Sequence, residues 1–165
     1  WQWCGYSTVS GAGKSIRLSA DVAAFAPGFW NNTAPTSSVF TINAADDINE
    51  TNGYYIAYLF ATLPGISKVG SYTGTGNAIN VNCGFSSGAR FILIKRTDAT
   101  GDWFVYDTTR GIVSGNDPYL FLNSNAAEVT NTDYIDPLNS GFTVTSSAPT
   151  GLNASGGTYI FLAIA

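Results

Sequence analysis

PTSSVFTI at residues 35–42 returns without a gap as PLNSGFTV at residues 137–144, 102 positions later. INETNGYYIAYLFA at 48–61 returns as LNASGGTYIFLAIA at 152–165, now 104 positions later because the intervening loop gains two residues. Upstream, Trp1, Leu18 and Ala24 fall on Trp103, Leu120 and Ala126. Self-similarity at a fixed period decides the architecture before any local reading does. The chain therefore divides into an incomplete first repeat, residues 1–62, and a complete second repeat, residues 67–165. They are joined by Leu63-Pro64-Gly65-Ile66, a linker too short and too stiff to let them swing freely.

The second repeat opens with residues 68–102, and nothing ahead of Trp1 corresponds to them. If that stretch forms strands, the first repeat is left with an unfinished sheet whose edges invite pairing with another chain. The sequence accordingly reads either as an excerpt of a longer protein or as a subunit whose neighbour supplies the strands. The lack of methionine fits a processed or excerpted chain.

Short apolar alternations bounded by turn residues dominate, and no window carries a helical period. In the second repeat the pattern predicts strands near 68–73, 78–83, 90–96, 103–107, 118–122, 141–145 and 157–164. In the first it predicts strands near 1–6, 15–20, 38–43 and 53–61. Residues 123–128, NSNAAE, and their counterpart 21–26 are the candidates for a helical turn. Asp98-Ala99-Thr100-Gly101 reads as a hairpin loop with Gly101 supplying a positive φ. The expected fold is all-β: two tandem immunoglobulin-like or jelly-roll-like sandwich modules, the first lacking its N-terminal strands.

Only 11% of the 165 residues are charged, against about 25% in ordinary soluble domains, and aromatics reach 14%. That palette, with Gly, Ser, Thr and Asn in the turns, suits β-rich extracellular and virion proteins. The net charge of −4 and the scattered seven basic residues leave no basic stripe for nucleic acid. No apolar run approaches the roughly 20 residues of a membrane helix, so no membrane insertion is expected.

Histidine is absent, which removes the usual base of a Ser or Cys triad and the commonest metal ligand. Gly84-Phe85-Ser86-Ser87-Gly88 matches the nucleophile-elbow spacing but precedes a strand and has no histidine partner, so it reads as a turn. Ser10-Gly11-Ala12-Gly13-Lys14-Ser15 is half of a phosphate loop, with Thr8 where the first glycine belongs, and reads as a hairpin turn. Asp46, Asp47 and Glu50 form an acidic loop with no equivalent in the second repeat. Lys95-Arg96 reads as a charged strand end that keeps a hairpin edge soluble. Asn31, Asn49 and Asn153 stand in N-x-S/T sequons, and the last two are read as asparagines folded onto turns. Cys4 and Cys83 are compatible with one disulfide in an oxidising compartment; they are not repeat equivalents, and the preferred reading is two buried free thiols. No catalytic residue, cofactor or metal site is expected. Trp1, Trp3, Phe29 and Trp30 are the candidate contacts, either as interface aromatics or as a sugar-stacking platform.

The second repeat, with VGSYTGTG, GARFILIKRTDATGDWFVYDTTRGIV, NDPYLFLNSNAAE and LNASGGTYIFLAIA, resembles the C-terminal tandem repeats of a family of phage virion proteins. WNNTAPTSSVFTI and GYYIAYLFATLPGISKVGSYTG resemble the end of the preceding repeat in the same family, so the resemblance covers residues 29–165. It implies a β-sandwich tail-fibre or appendage component without catalytic residues. The expected function is thus a non-enzymatic structural subunit of an extracellular or virion fibre, self-assembling and displayed at a surface. Its expected partners are copies of itself and a host surface glycan. The alternatives are a bacterial, pilus-like surface filament built by β-strand donation and a glycan-binding adhesin module.

Overall fold

The computed structural model describes residues 2–165. Its strands are β1 (Cys4–Gly5), β2 (Ile16–Arg17), β3 (Ser67–Thr73), β4 (Ile79–Asn82), β5 (Phe91–Arg96), β6 (Trp103–Asp107), β7 (Leu120–Phe121), β8 (Ile135–Leu138), β9 (Gly141–Val144) and β10 (Thr158–Ile164). Two single helical turns complete it, α1 (Asp46–Asn49) and α2 (Thr150–Asn153). The chain is all-β in character, and all its strand pairings are antiparallel.

Residues 67–165 form two sheets, ordered β3-β10-β5-β6-β7 and β4-β9-β8. The alternation of each strand explains their stacking, because successive side chains face opposite sides. Ile92 and Ile94 of β5, Phe104 and Tyr106 of β6, and Tyr159, Phe161 and Ala163 of β10 meet Val81, Ile135, Phe142 and Val144 of the smaller sheet in one core. β10 is central, paired with β3 from Thr158↔Thr73 to Ile164↔Ser67 and with β5 on its other side. It is correspondingly apolar on both faces, as a strand covered on both sides must be.

The outer face of the larger sheet is covered by the first repeat. Ile16, Leu18 and Ala24 pack on Leu93, Trp103 and Ile160. The Trp103 indole N–H donates to the Arg17 carbonyl at 2.8 Å. Lys95, expected at a solvated strand end, lies under this cover without exposure. Its ammonium donates to the carbonyls of Asp21, Arg96 and Gly101 at 3.1, 2.9 and 2.6 Å. Burial pulls its pKa down to about 8.

Several local expectations are corrected. Residues 123–128 are not helical; Asn123 instead accepts the Trp103 amide at 2.8 Å and donates to Asp102, and the helical turns fall at α1 and α2. Gly101 has no positive φ; the Asp98 loop is held by Arg96, which pairs with the Asp98 carboxylate at 2.9 Å. β8 was not anticipated because Pro137 argues against a strand, and it lies at a sheet edge, where proline is tolerated. The strand expected over 118–122 is reduced to Leu120–Phe121. In the first repeat, the strands expected near 1–6 and 15–20 shrink to β1 and β2, and those near 38–43 and 53–61 do not form. An extended chain becomes a strand only when a neighbouring strand takes its backbone groups in a ladder; here the bonds are isolated, such as the Asn43 amide to the Phe29 carbonyl at 2.8 Å and the Gly53 amide to the Glu50 carbonyl at 2.9 Å.

Candidate functional site

The first repeat keeps three local features of the second. β1 pairs with β2 with Cys4 opposite Arg17, and β6 pairs with β7 with Phe104 opposite Phe121. Shifted by 102 positions, the two ladders share one register. α1 and α2 are related by the 104-position shift. Behind each stands the same tyrosine clamp. The Glu50 amide donates to the Tyr55 hydroxyl at 2.7 Å, which donates to the Asp46 carbonyl at 3.0 Å. The Ala154 amide donates to the Tyr159 hydroxyl at 2.8 Å, which donates to the Thr150 carbonyl at 2.6 Å.

What surrounds these features differs. Tyr159 is fully buried and Tyr55 is 48% exposed; Ile160 is 7% exposed and Ile56 71%; Phe142 is fully buried and Phe40 43% exposed. Tyr54, Tyr58, Leu59 and Phe60 are exposed as well, so the run from Tyr54 to Phe60 is apolar on both faces and covered on neither. Such a contiguous patch marks an interaction surface in a folded protein. Asn153 is buried and saturated: its Oδ1 accepts the amides of Thr75 and Gly76, and its Nδ2 donates to the carbonyls of Asn77 and Thr145. Its counterpart Asn49 is exposed and donates only to the Asn43 carbonyl at 3.0 Å. Gly141 gives β4 its close approach, since a Cβ there would sit 2.1 Å from the Val81 carbonyl oxygen. Val39 stands at the equivalent position, so a β4-type strand cannot pack there in the same way.

A second feature lies beside the run. β3 and β4 are edge strands of the two sheets, and between them runs a groove of about 390 Å³ lined by Lys68, Val69, Tyr72, Asn80, Val81 and Phe161. The chain reaches β3 through the Leu63↔Ser67 bridge. Beyond that pair the backbone ladder stops, because the Thr62 hydroxyl accepts the Val69 amide at 3.2 Å and donates to the Val69 carbonyl at 3.3 Å.

Of the candidate contact residues, Trp1 lies outside the described residues. Trp3 is exposed, with its ring 5.7 Å from that of Tyr58. Phe29 and Trp30 are buried, edge-on to Phe25 and Tyr6 respectively. Lys14 and its glycines form the turn between β1 and β2, with Gly11 at φ 75°. Asp47 pairs with Arg17 at 3.5 Å. Cys4 and Cys83 are free thiols, Cys4 half-buried and Cys83 buried; burial pushes the Cys83 thiol up to about 11. Asp117 escaped the sequence reading, since Asn-Asp-Pro looks like a turn alone. It is fully buried and accepts the amides of Tyr134 and Ile135 at 2.9 and 3.0 Å. Burial nevertheless drives its carboxyl up to about 7. Among the described residues no group of three His, Cys, Asp or Glu side chains is placed to hold a metal ion, and no helix is long and apolar enough to cross a membrane.

Residues 2–165 match a protein family described as a domain of unknown function, DUF7483. No curated protein and no solved structure matches.

Proposed function

The chain belongs to the DUF7483 family, a domain of unknown function, and from that starting point we propose that it is a non-enzymatic structural subunit of an extracellular or virion fibre of the tail-fibre or appendage kind. In this reading it consists of two tandem β-sandwich modules of immunoglobulin-like or jelly-roll-like plan, acts by self-assembly and is displayed on a surface. The observation that carries the reading is the Tyr54–Phe60 run, which has the composition of a doubly covered central strand and lies uncovered. Leaving four aromatic rings and two large aliphatic side chains in water costs more than a single exposed side chain does, at roughly 1.5–3 kcal/mol for each large apolar group. Low charge and abundant turn residues suit a durable exposed polymer. Electron microscopy of the purified chain tests the reading. Filaments or regular oligomers are expected; a dispersed monomer at high concentration would overturn it.

A bacterial surface filament built by strand donation is supported by the same run. The glycan-binding alternative has one supporting observation, the exposed pair Trp3 and Tyr58, and binding to a glycan array by a chain that stays monomeric would favour it.

A further inference from the structure

We propose that residues 54–60 of one copy of this chain add as a strand to the free outer edge of β3 in a second copy, over the groove between β3 and β4. The proposal rests on the self-assembly reading above and names its contact.

The donor follows from its counterpart. Residues 54–60 correspond to β10, and one of the two strands β10 pairs with is β3, along seven residues. A β3-type strand is therefore the partner this sequence pattern is built for. Among the described residues no strand pairs with residues 54–60, and the inner edge of β3 is taken by β10.

The acceptor follows from the edge. Alternate residues of an antiparallel edge strand direct their N–H and C=O groups outward. Leu63 takes those of Ser67 and the Thr62 hydroxyl those of Val69, which leaves the outward groups of Ser71 and Thr73 free among the described residues. An edge with free backbone groups is a template for strand addition. Beneath it the inward side chains of an added strand would meet Lys68, Tyr72 and Asn80 in the groove, over the buried Val81 and Phe161.

Two observations favour a second copy as the occupant. Within one chain, the Thr62 hydroxyl replaces backbone pairing at Val69, so the run leaves its own edge immediately after Leu63↔Ser67. Val39 in place of Gly141 also bars a β4-type strand from the close approach seen in the second repeat. Tyr54, Ile56, Tyr58 and Phe60 share one face of an extended strand, so an added strand turns three aromatic rings and one isoleucine toward its acceptor.

The test is light scattering of the full chain after size exclusion, over a range of concentrations, with three proteins. Wild type is expected at twice the monomer mass of 17.4 kDa or more. Ile56→Lys spoils the donor at an exposed position, and Ser71→Pro removes an outward amide from the acceptor edge; each is expected to be monomeric. An equimolar mixture of the two variants is expected to associate again, because one retains an intact edge and the other an intact run, and that result excludes misfolding as the cause. Oligomers that persist in both variants would overturn this docking while leaving self-assembly standing. A wild type that is monomeric throughout would overturn both.

Discussion

Tyr55 and Tyr159, 104 positions apart, make the same two hydrogen bonds to their own helical turns, one in water and one in the core. The motif is thus local, closed within ten residues, and forms with and without sheets packed around it.

The two tyrosines therefore differ in energetic weight. Tyr159→Phe leaves the Ala154 amide without its acceptor beside a buried ring, a cost of about 1–3 kcal/mol. Tyr55→Phe in the monomer is expected to stay within about 0.5 kcal/mol of wild type. Chemical denaturation of the monomeric Ile56→Lys background separates the two; equal losses would mean that the first repeat is as cooperative as the second.

Asn153 ties the β3–β4 turn to Thr145 by four hydrogen bonds. Asn153→Ala is expected to cost on the order of 4 kcal/mol at about 1 kcal/mol per bond, and Asn49→Ala about 1 kcal/mol or less. In the folded state Asn153 is also closed to glycosylation, which mass spectrometry of secreted material checks.

Gly141 is required by contact. Gly141→Ala drives a methyl into the Val81 carbonyl, and a loss of about 4 kcal/mol or more is expected, the range of severe backbone and packing defects. Val39→Gly, at the matching exposed position, is expected to leave the melting temperature of the protein almost unchanged.

Two buried titratable groups give opposite pH slopes. Asp117 holds its proton up to about 7 in the folded state against 3.8 ordinarily, because burial disfavours its charge. Between those values the native state binds the extra proton, so stability falls as pH rises. Lys95 is pulled from 10.5 to about 8 by burial; between those values the unfolded chain binds the extra proton, and stability rises with pH. Asp117→Asn is expected to abolish the first slope and Lys95→Met the second, measured by denaturation at closely spaced pH values.

The all-β character of the second repeat and most of its strands were legible, because the strands alternate and the turns carry Gly, Asn and Asp at the strand ends. Pro137 hid β8, since an edge position cannot be told from a forbidden one without the sheet order. Lys95 was misplaced because its cover comes from residues more than 70 positions away. The run at 54–60 was legible as a strand by composition, yet the structure leaves it unpaired. A ladder depends on neighbours, which its own residues do not encode. The repeat singled out residues 54–60 as the counterpart of β10, but only the geometry located the free β3 edge and the Thr62 contact that turns the run away from it. Of the aromatics singled out, the pattern could not separate exposed Trp3 from buried Phe29 and Trp30, since all are large, apolar and near turns.

Hydrogen exchange read by mass spectrometry over residues 54–60, at low and high protein concentration, tests the central claim most directly. The account predicts exchange at the rate of an unprotected chain in dilute solution and strong protection that grows with concentration, in step with protection of Ser71 and Thr73. Exchange that is fast at every concentration, or slow protection independent of concentration, would contradict it.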